Sequence, residues 1–285
     1  MSVTKKIDSL VKDIYKYLES YTAVTPEQSA ELALVLSQVI CEKLSSFRRP
    51  ALSMSCIGHP QRKLKLEIEN PIKPTGKQRL RFLYGDILEA VILWLAKLSG
   101  HTVEDQQKTV EVDKVKGHID AIIDGDLVDV KSCSPQSYKK FIGGTLPSCD
   151  PFGYLAQISG YKEFLKKDHA HFLAIDKVSG DLCLYTPDAD FDLPDPHKVI
   201  ESAREAIKTK NFKDLPPCAE PVPAGKSGNM KLPTDCKYCA FRNKCWEGLR
   251  VFQYKTGPEY FTKIVKEPSE KIKEITKHGK TTKLE

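Results

Sequence analysis

Apolar side chains recur at helical spacing through the first hundred residues. The spacing predicts a helix over residues 5–20 and another over residues 25–45, which begins with the capping-box pattern Thr-Pro-Glu-Gln. The longest apolar stripe predicts a helix over residues 77–99. Residues 51–76 lack a clear period and are expected to be irregular.

The middle of the chain changes to short, β-branched segments separated by turn residues. Residues 117–123 and 127–132 are predicted to form a hairpin around Asp124-Gly125-Asp126. The remaining predicted elements are a strand at 109–115, a loop at 142–153, a helix at 154–166, strands at 171–175 and 182–185, a helix ending near 210, a proline-rich stretch at 215–233 and a hairpin around 255–258. This order predicts an α/β fold with a central mixed sheet flanked by helices.

The composition is that of an ordinary globular protein without a membrane-spanning helix. The chain has 285 residues, 40% of them hydrophobic and 29% charged, with a net charge of +6. It has no apolar run of the roughly 18 residues that a membrane-spanning helix needs, and its first residues do not resemble a signal peptide. We therefore expect an intracellular protein without a membrane partner. The charge permits a polyanionic partner without requiring one.

Acidic residues interrupt the predicted hairpin. Asp129 and Lys131 are two residues apart and so project from the same side of their strand, and the antiparallel partner can place Asp120 beside them. Their neighbours are apolar, and two carboxylates brought together there repel each other unless a cation lies between them. Oxygen ligands of this kind favour Mg²⁺ or Mn²⁺. The alternative is an ordinary hairpin with one polar face.

Two further motifs flank the hairpin. Gly85 and Glu89 form Gly-x-x-x-Glu before it, and Gln157 and Tyr161 form Gln-x-x-x-Tyr after it. Each motif is weak by itself. The ordered set, with Gly-x-x-Asp and Asp-x-Lys between them, resembles the RecB-like exonuclease branch of the PD-(D/E)XK nuclease superfamily over residues 85–161.

The resemblance implies a restriction-endonuclease-like core and a metal-dependent phosphodiester hydrolase. Lys131 would orient the attacking water or neutralise charge on the phosphate, and Gln157 and Tyr161 would position the ligands or the scissile strand. Many RecB-like domains carry histidine where this chain has Glu89, which leaves the metal preference open. The implied metal ligands are three carboxylates and one backbone carbonyl: Glu89, Asp120, Asp129 and Val130.

Nine cysteines in a chain read as intracellular suggest a metal site more than disulfides. Cys236, Cys239 and Cys245 form Cys-x2-Cys-x5-Cys, which needs a fourth ligand. RecB-like nucleases with an iron–sulfur staple place one cysteine before the core and three after it, so the resemblance implies a [4Fe–4S] cluster completed by Cys56. Zn²⁺ is the alternative metal, Cys218 is the alternative fourth ligand, and unrelated core cysteines are the third possibility.

The sequence therefore predicts three regions: a helical segment at 1–50, a nuclease core closed by the cysteine cluster at 51–250, and a hairpin with a basic tail at 251–285. The predicted function is that of a DNA exonuclease acting on single strands or free ends in recombination, repair or replication. A structure-selective endonuclease and a non-catalytic nucleic-acid-binding protein are the alternatives. Four basic residues are candidate phosphate contacts: Lys139, Lys140, Arg79 and Arg81.

Overall fold

The computed structural model describes residues 5–45 and 49–275. The chain divides into two compact units. The first unit comprises Met1–His59 and Glu67–Glu205, and the second comprises Pro60–Leu66 and Ala206–Glu285. None of the helices within the described ranges is long and apolar enough to cross a membrane.

Up to residue 208, four helices are followed by five strands, and then by two helices, two strands and a last helix. A 3₁₀ turn at Ile7–Ser9 leads into the first helix. The elements are α1 (Leu10–Glu19), α2 (Pro26–Ser45), α3 (Gln61–Glu69), α4 (Gly76–Leu98), β1 (Val103–Glu104), β2 (Thr109–Val112), β3 (Val115–His118), β4 (Ala121–Ile123), β5 (Asp126–Cys133), α5 (Pro135–Ile142), α6 (Tyr154–Phe164), β6 (Ala170–Asp176), β7 (Leu182–Tyr185) and α7 (Pro196–Lys208).

The first unit is built on a five-stranded sheet with the order β1-β4-β5-β6-β7. The β5–β6 pair is parallel and the other pairs are antiparallel, so the sheet is mixed as predicted. Strands β2 and β3 form a separate two-stranded sheet. A two-residue turn with positive φ at Asp124 (51°) and Gly125 (97°) joins β4 to β5, as the hairpin prediction required.

Alternate residues of the central strands face two hydrophobic clusters. In β5, Leu127 and Cys133 belong to the cluster that contains α5 and α6 residues, whereas Val128 and Val130 belong to the cluster with α1 and α4 residues. Helices therefore cover both faces of the sheet, which is the arrangement predicted for an α/β fold. Asp129 and Lys131 share the side of β5 that carries Leu127 and Cys133.

Four local predictions were wrong. The strand expected over residues 117–123 is split between the end of β3, which pairs with β2, and β4, which pairs with β5. Residues 61–69, expected to be irregular, form α3. The strand predicted for 109–115 is broken by a turn at Asp113 and Lys114, both with positive φ, so that β2 pairs with β3. Helix α5 was not predicted, although Ser134 caps its first turn and Pro135 occupies its first position, a recognisable start signal.

The second unit contains short elements. After a 3₁₀ turn at Phe212–Asp214, the elements are β8 (Val222–Pro223), β9 (Met230–Lys231), α8 (Thr234–Tyr238), α9 (Arg242–Cys245), β10 (Arg250–Tyr254) and β11 (Gly257–Lys263). The four strands form one sheet in the order β10-β11-β9-β8. The predicted C-terminal hairpin is confirmed as β10–β11.

Candidate active site

Asp129 and Lys131 form the centre of the site on β5. Asp129 is 2% exposed, and its Oδ2 lies 2.5 Å from the Lys131 Nζ. The Lys131 Nζ also lies 4.5 Å from the centroid of the Tyr154 ring, at cation–π distance. The ammonium group is therefore held between a buried carboxylate and an aromatic face. From the sequence, Tyr154 was predicted only as a ring that could stack on an unpaired base, with core packing as the default, and its contact with Lys131 was not predicted.

Asp120 is placed beside this pair by the hairpin register. Ala121 pairs with Val128, so Asp120 lies next to the middle of β5. Its Oδ2 accepts a hydrogen bond of 2.7 Å from the backbone N–H of Val130. The side chain is thus fixed from the backbone of the strand that carries Asp129.

Glu89 comes from α4, whose start is fixed by a capping box between Thr75 and Gln78. Its Oε1 accepts a hydrogen bond of 2.6 Å from the Gln107 Nε2, in the loop before β2. Gln107 has a positive φ of 55° and lies in no motif, so the sequence offered no signal for it. The structure thus adds a neutral donor that orients Glu89.

The charges of the site interact strongly. Burial, followed by the charge of Asp129, raises the pKa of Glu89 to about 7. Burial and the charges of Asp129 and Glu89 raise the pKa of Asp120 well above its usual value. The charge of Asp129 therefore opposes the ionisation of Glu89 and Asp120, and Lys131 offsets only part of the repulsion.

Gln157 and Tyr161 lie one helical turn apart on α6, and the Gln157 Nε2 donates to the Tyr161 Oη at 3.2 Å. Tyr161 is 1% exposed, and burial raises its pKa to about 12. Gly117, the glycine of Gly-x-x-Asp, makes room for this ring, since a Cβ there would lie 2.5 Å from the Tyr161 Oη and 2.6 Å from the Met54 Cβ. The glycine is required by packing against Tyr161.

The donor set suits a hard divalent cation. Burial and the charge of Asp129 raise the pKa of Glu89 and of Asp120, so a cation placed among the three carboxylates would favour the loss of those two protons, and carboxylate oxygens are the ligands that Mg²⁺ and Mn²⁺ prefer. Within residues 5–45 and 49–275, no three His, Cys, Asp or Glu side chains are grouped as a ready metal site. Ligation by Glu89, Asp120 and Asp129 therefore requires their side chains to move and stays a prediction.

The candidate phosphate contacts differ in their surroundings. Arg79 donates to the carbonyls of Lys43 and Leu44 at the end of α2, and Lys140 donates to the Cys149 carbonyl. Arg81 and Lys139 have exposed side chains. Their role in binding nucleic acid stays a prediction.

The aromatic residues near the loop at 142–153 also differ in their exposure. Tyr138 and Phe141 are buried in the core and cannot stack on a base. Phe152 is 46% exposed, and its ring stacks on Tyr154 with 5.3 Å between centroids. An open aromatic surface therefore continues outward from the ring that faces Lys131.

The cysteines predicted to bind a cluster fall in both units. Cys56 lies in the first unit, where its Sγ accepts from the Ser53 N–H at 3.3 Å. Cys236, Cys239 and Cys245 lie in the second unit, on and between α8 and α9. Ligation of a cluster by these four residues stays a prediction.

Comparisons with known proteins add a limited result. No protein-family model matches the chain, and no curated protein matches it. Among solved structures it is similar to the protein SSO0001, with 16% identity and a TM-score of 0.39 over 73% of this chain and 93% of that one. It is also similar to an alkaline exonuclease from Laribacter hongkongensis, with 14% identity and a TM-score of 0.30 over 72% and 87%. Scores this low do not establish a shared fold.

Proposed function

We propose that this chain is a metal-dependent deoxyribonuclease of the PD-(D/E)XK type, acting as an exonuclease. The observation that carries the proposal is the meeting of Glu89, Asp120, Asp129 and Lys131 in one partly buried site. A purely structural hairpin gains nothing from placing the charge of Asp129 where, together with burial, it raises the pKa of Glu89 and of Asp120. A hydrolase gains a cation site from them.

The residues of the site have separate roles in this proposal. Glu89, Asp120 and Asp129 hold the cation, Gln107 keeps Glu89 oriented, and the Val130 carbonyl is the candidate backbone ligand. A divalent ion bound there would lower the pKa of a water molecule and stabilise negative charge on the phosphate.

Lys131 supplies a fixed positive charge for the attacked phosphate. Asp129 and the ring of Tyr154 restrain its ammonium group, which reduces the reorganisation needed as charge develops. The hydrogen bond from Gln157 to Tyr161 keeps that part of α6 packed against Gly117 and so holds the strand before Asp120.

Single-stranded DNA or a frayed end is the proposed substrate. Phe152 offers an exposed ring that stacks on Tyr154, and Tyr154 in turn contacts Lys131. An unpaired base can stack on such a ring, whereas a base within a duplex is already stacked on its neighbours. The base next to the scissile phosphate is the one within reach.

The test is digestion of end-labelled single- and double-stranded DNA with Mg²⁺, with Mn²⁺ and with a chelator. We expect metal-dependent release of short products, and Asp129→Asn should reduce the rate by about 100-fold or more. Asp126→Asn is the matched control, because Asp126 lies on the same strand outside the site. Equal loss in both variants, or no cleavage by the unaltered protein, would contradict the proposal.

Circular single-stranded DNA separates exonuclease from endonuclease. An exonuclease needs an end and leaves the circle intact, whereas a structure-selective endonuclease cuts it. A non-catalytic binding protein would shift DNA in a gel equally with and without Asp129 and release no product.

A further inference from the structure

A strained turn closes the β2–β3 hairpin. Asp113 and Lys114 are its two central residues, with φ of 45° and 60°, and they join the paired residues Val112 and Val115. Two-residue turns with positive φ at both positions favour asparagine, aspartate and glycine, whereas the Cβ of a lysine crowds the following carbonyl. The turn therefore gains from contacts that hold it from outside the hairpin.

The His197 side chain provides such a contact. Its Nδ1 lies 2.7 Å from the Asp113 Oδ2, and its Nε2 lies 2.5 Å from the Glu163 Oε1. Glu163 belongs to α6, and His197 is the second residue of α7. Arg204, also on α7, donates to the Asp113 carbonyl. The imidazole therefore links the hairpin turn to two helices of the first unit.

Both ring nitrogens of His197 face a carboxylate. A neutral imidazole has one N–H and can donate to only one carboxylate, so the other carboxylate then faces a nitrogen lone pair. The doubly protonated ring donates to both. Hydrogen bonds to Asp113 and then to Glu163 accordingly raise the pKa of His197 above its ordinary value of 6.5. The two contacts are complete only while the ring carries its charge.

The start of α7 fixes the position of the ring. The Asp195 Oδ1 accepts the backbone N–H groups of His197 and Lys198 at 3.0 and 3.2 Å, and the Lys198 Nζ lies 3.6 Å from the Asp195 Oδ2. The backbone N–H of Lys198 lowers the pKa of Asp195 below its ordinary value. Histidine is the side chain whose charge changes near neutral pH, so His197 is the switchable member of this cluster.

The hairpin connects this cluster to the candidate active site. Its strands pair from the turn to Thr109 and His118. Beyond that pair, the N–H of Gln107 donates to the Asp120 carbonyl at 3.3 Å, and the Gln107 side chain donates to Glu89. The residue that orients Glu89 therefore stands at the opposite end of the hairpin from the turn that His197 holds.

We propose that His197 is a pH-dependent clamp on the β2–β3 turn, closed when its imidazole is charged and open when the ring is neutral. A histidine whose pKa is raised by folding contributes stability below its unfolded pKa, and this contribution is lost as pH rises through the folded pKa. The clamp therefore opens as pH rises above 6.5. Opening loosens the hairpin that carries Gln107; its effect on cleavage, unlike the clamp itself, rests on the proposed function.

Hydrogen exchange of the full chain, without DNA or metal, tests the clamp. Protection factors of the β2 and β3 amides, corrected for intrinsic exchange, are compared at about pH 6 and about pH 8.5. We expect protection to fall about 2- to 5-fold at the higher pH, the range of an exposed ion pair, and to lose this pH dependence in His197→Gln. His169→Gln, which removes an exposed histidine outside the cluster, should behave as the unaltered chain.

Protection that is independent of pH in the unaltered chain, or that changes equally with pH in His197→Gln, would overturn the clamp. Because the measurement uses neither substrate nor cation, a chain that fails to cleave DNA would still show the clamp. Failure of the clamp is thus distinguishable from failure of the proposed function.

Titration of the ring covers the case in which His197→Gln unfolds. NMR of the imidazole protons gives the pKa of His197 in the unaltered chain and in Asp113→Asn, whose asparagine tolerates positive φ but lacks the charge. The pKa should lie above 6.5 in the unaltered chain and fall in Asp113→Asn. An equal pKa in the two proteins would overturn the proposal.

Discussion

The proposed carboxylate site of the first unit and the cysteine cluster predicted for the second unit are built on different kinds of secondary structure. Asp129 and Lys131 stand on a strand paired on both sides, and Glu89 stands on a 23-residue helix. Cys236 and Cys245 stand on helices of five and four residues, and Cys218 lies outside any helix or strand.

This difference in secondary structure indicates what holds each group of side chains in place. Strand and helix backbones hold the carboxylates near one another whether or not a cation is present, so their repulsion is imposed by the fold. Short helices and a connecting segment have little stability of their own. A metal bound to the thiols would therefore stabilise the second unit, whereas a metal bound to the carboxylates would serve the reaction.

The largest expected effect on stability comes from a thiol ligand. Cys239→Ser should lower the free energy of unfolding by about 4 kcal/mol, the contribution of a ligand held at about 1,000 times its dissociation constant. Thermal denaturation with and without a chelator measures it. Cys41→Ser, an exposed cysteine of α2, is the control. If both variants melt alike, the cysteine cluster does not stabilise the unit and the contrast fails.

Packing around Tyr161 should give the next effect. Gly117→Ala places a Cβ within 2.6 Å of the Tyr161 Oη and the Met54 Cβ, and overpacking of this kind costs about 1–3 kcal/mol. Urea denaturation measures the loss. Gly76→Ala is the matched control, because a Cβ at Gly76 meets nothing within 4 Å. Equal stability of the two variants would show that Tyr161 does not depend on the glycine.

The carboxylates should make metal use depend on pH. The pKa of Glu89 is raised to about 7, so below that pH the carboxyl keeps a proton that the metal must displace. Cleavage at low Mg²⁺ should rise as pH increases through about 7, and added Mg²⁺ should move the midpoint lower. A Glu89→Gln variant should lack this titration. A midpoint independent of Mg²⁺ would contradict ligation by Glu89.

The same shift has a consequence for stability. A raised carboxyl pKa in the folded state contributes stability that is present below the unfolded pKa of about 4.5 and is lost as pH rises through about 7. Stabilisation by Mg²⁺ should therefore be larger at about pH 8 than at about pH 5.5. Melting curves with and without Mg²⁺ at the two pH values test whether the stabilisation by Mg²⁺ increases with pH.

The smallest expected effect concerns substrate binding. Phe152→Ala should raise the KM for single-stranded DNA about 3- to 10-fold through loss of base stacking, with little change in kcat. Phe164→Ala is a close control, since the two rings are 46% and 45% exposed and Phe164 ends α6 away from Tyr154. Equal KM values would remove the support for stacking at Phe152.

Periodic elements and ordered motifs were predictable from the sequence. The capping box at Thr25, the stripe of α4 and the turn at Asp124-Gly125 use local signals that the fold retains. The contact of Gln107 with Glu89 and the stacking of Tyr154 on Lys131 depend on how loops and helix ends meet the sheet. No pattern of residue spacing in the sequence predicts these two contacts.

Cys218, the alternative fourth ligand, illustrates the same limit of prediction from sequence. Cys218 is separated from Cys236 by a proline-rich segment, and its neighbourhood is set by Arg62 and Lys63, more than 150 residues earlier. Spacing predicted that a fourth ligand was needed. The sequence offered Cys56 and Cys218 as candidates for that ligand, and spacing alone does not decide between them.

The two-residue turn between β4 and β5 makes the active site sensitive to insertions more than to substitutions. Because side chains alternate along a strand, a single extra residue at Gly125 that shifted the pairing by one would exchange the surroundings of Asp129 and Val130. The sheet would keep its strands and the composition of the site would be intact. The molecule would nevertheless present valine where the proposed metal and phosphate need carboxylate and ammonium. Insertion of one residue in this loop should therefore abolish activity even though no residue of the site is changed.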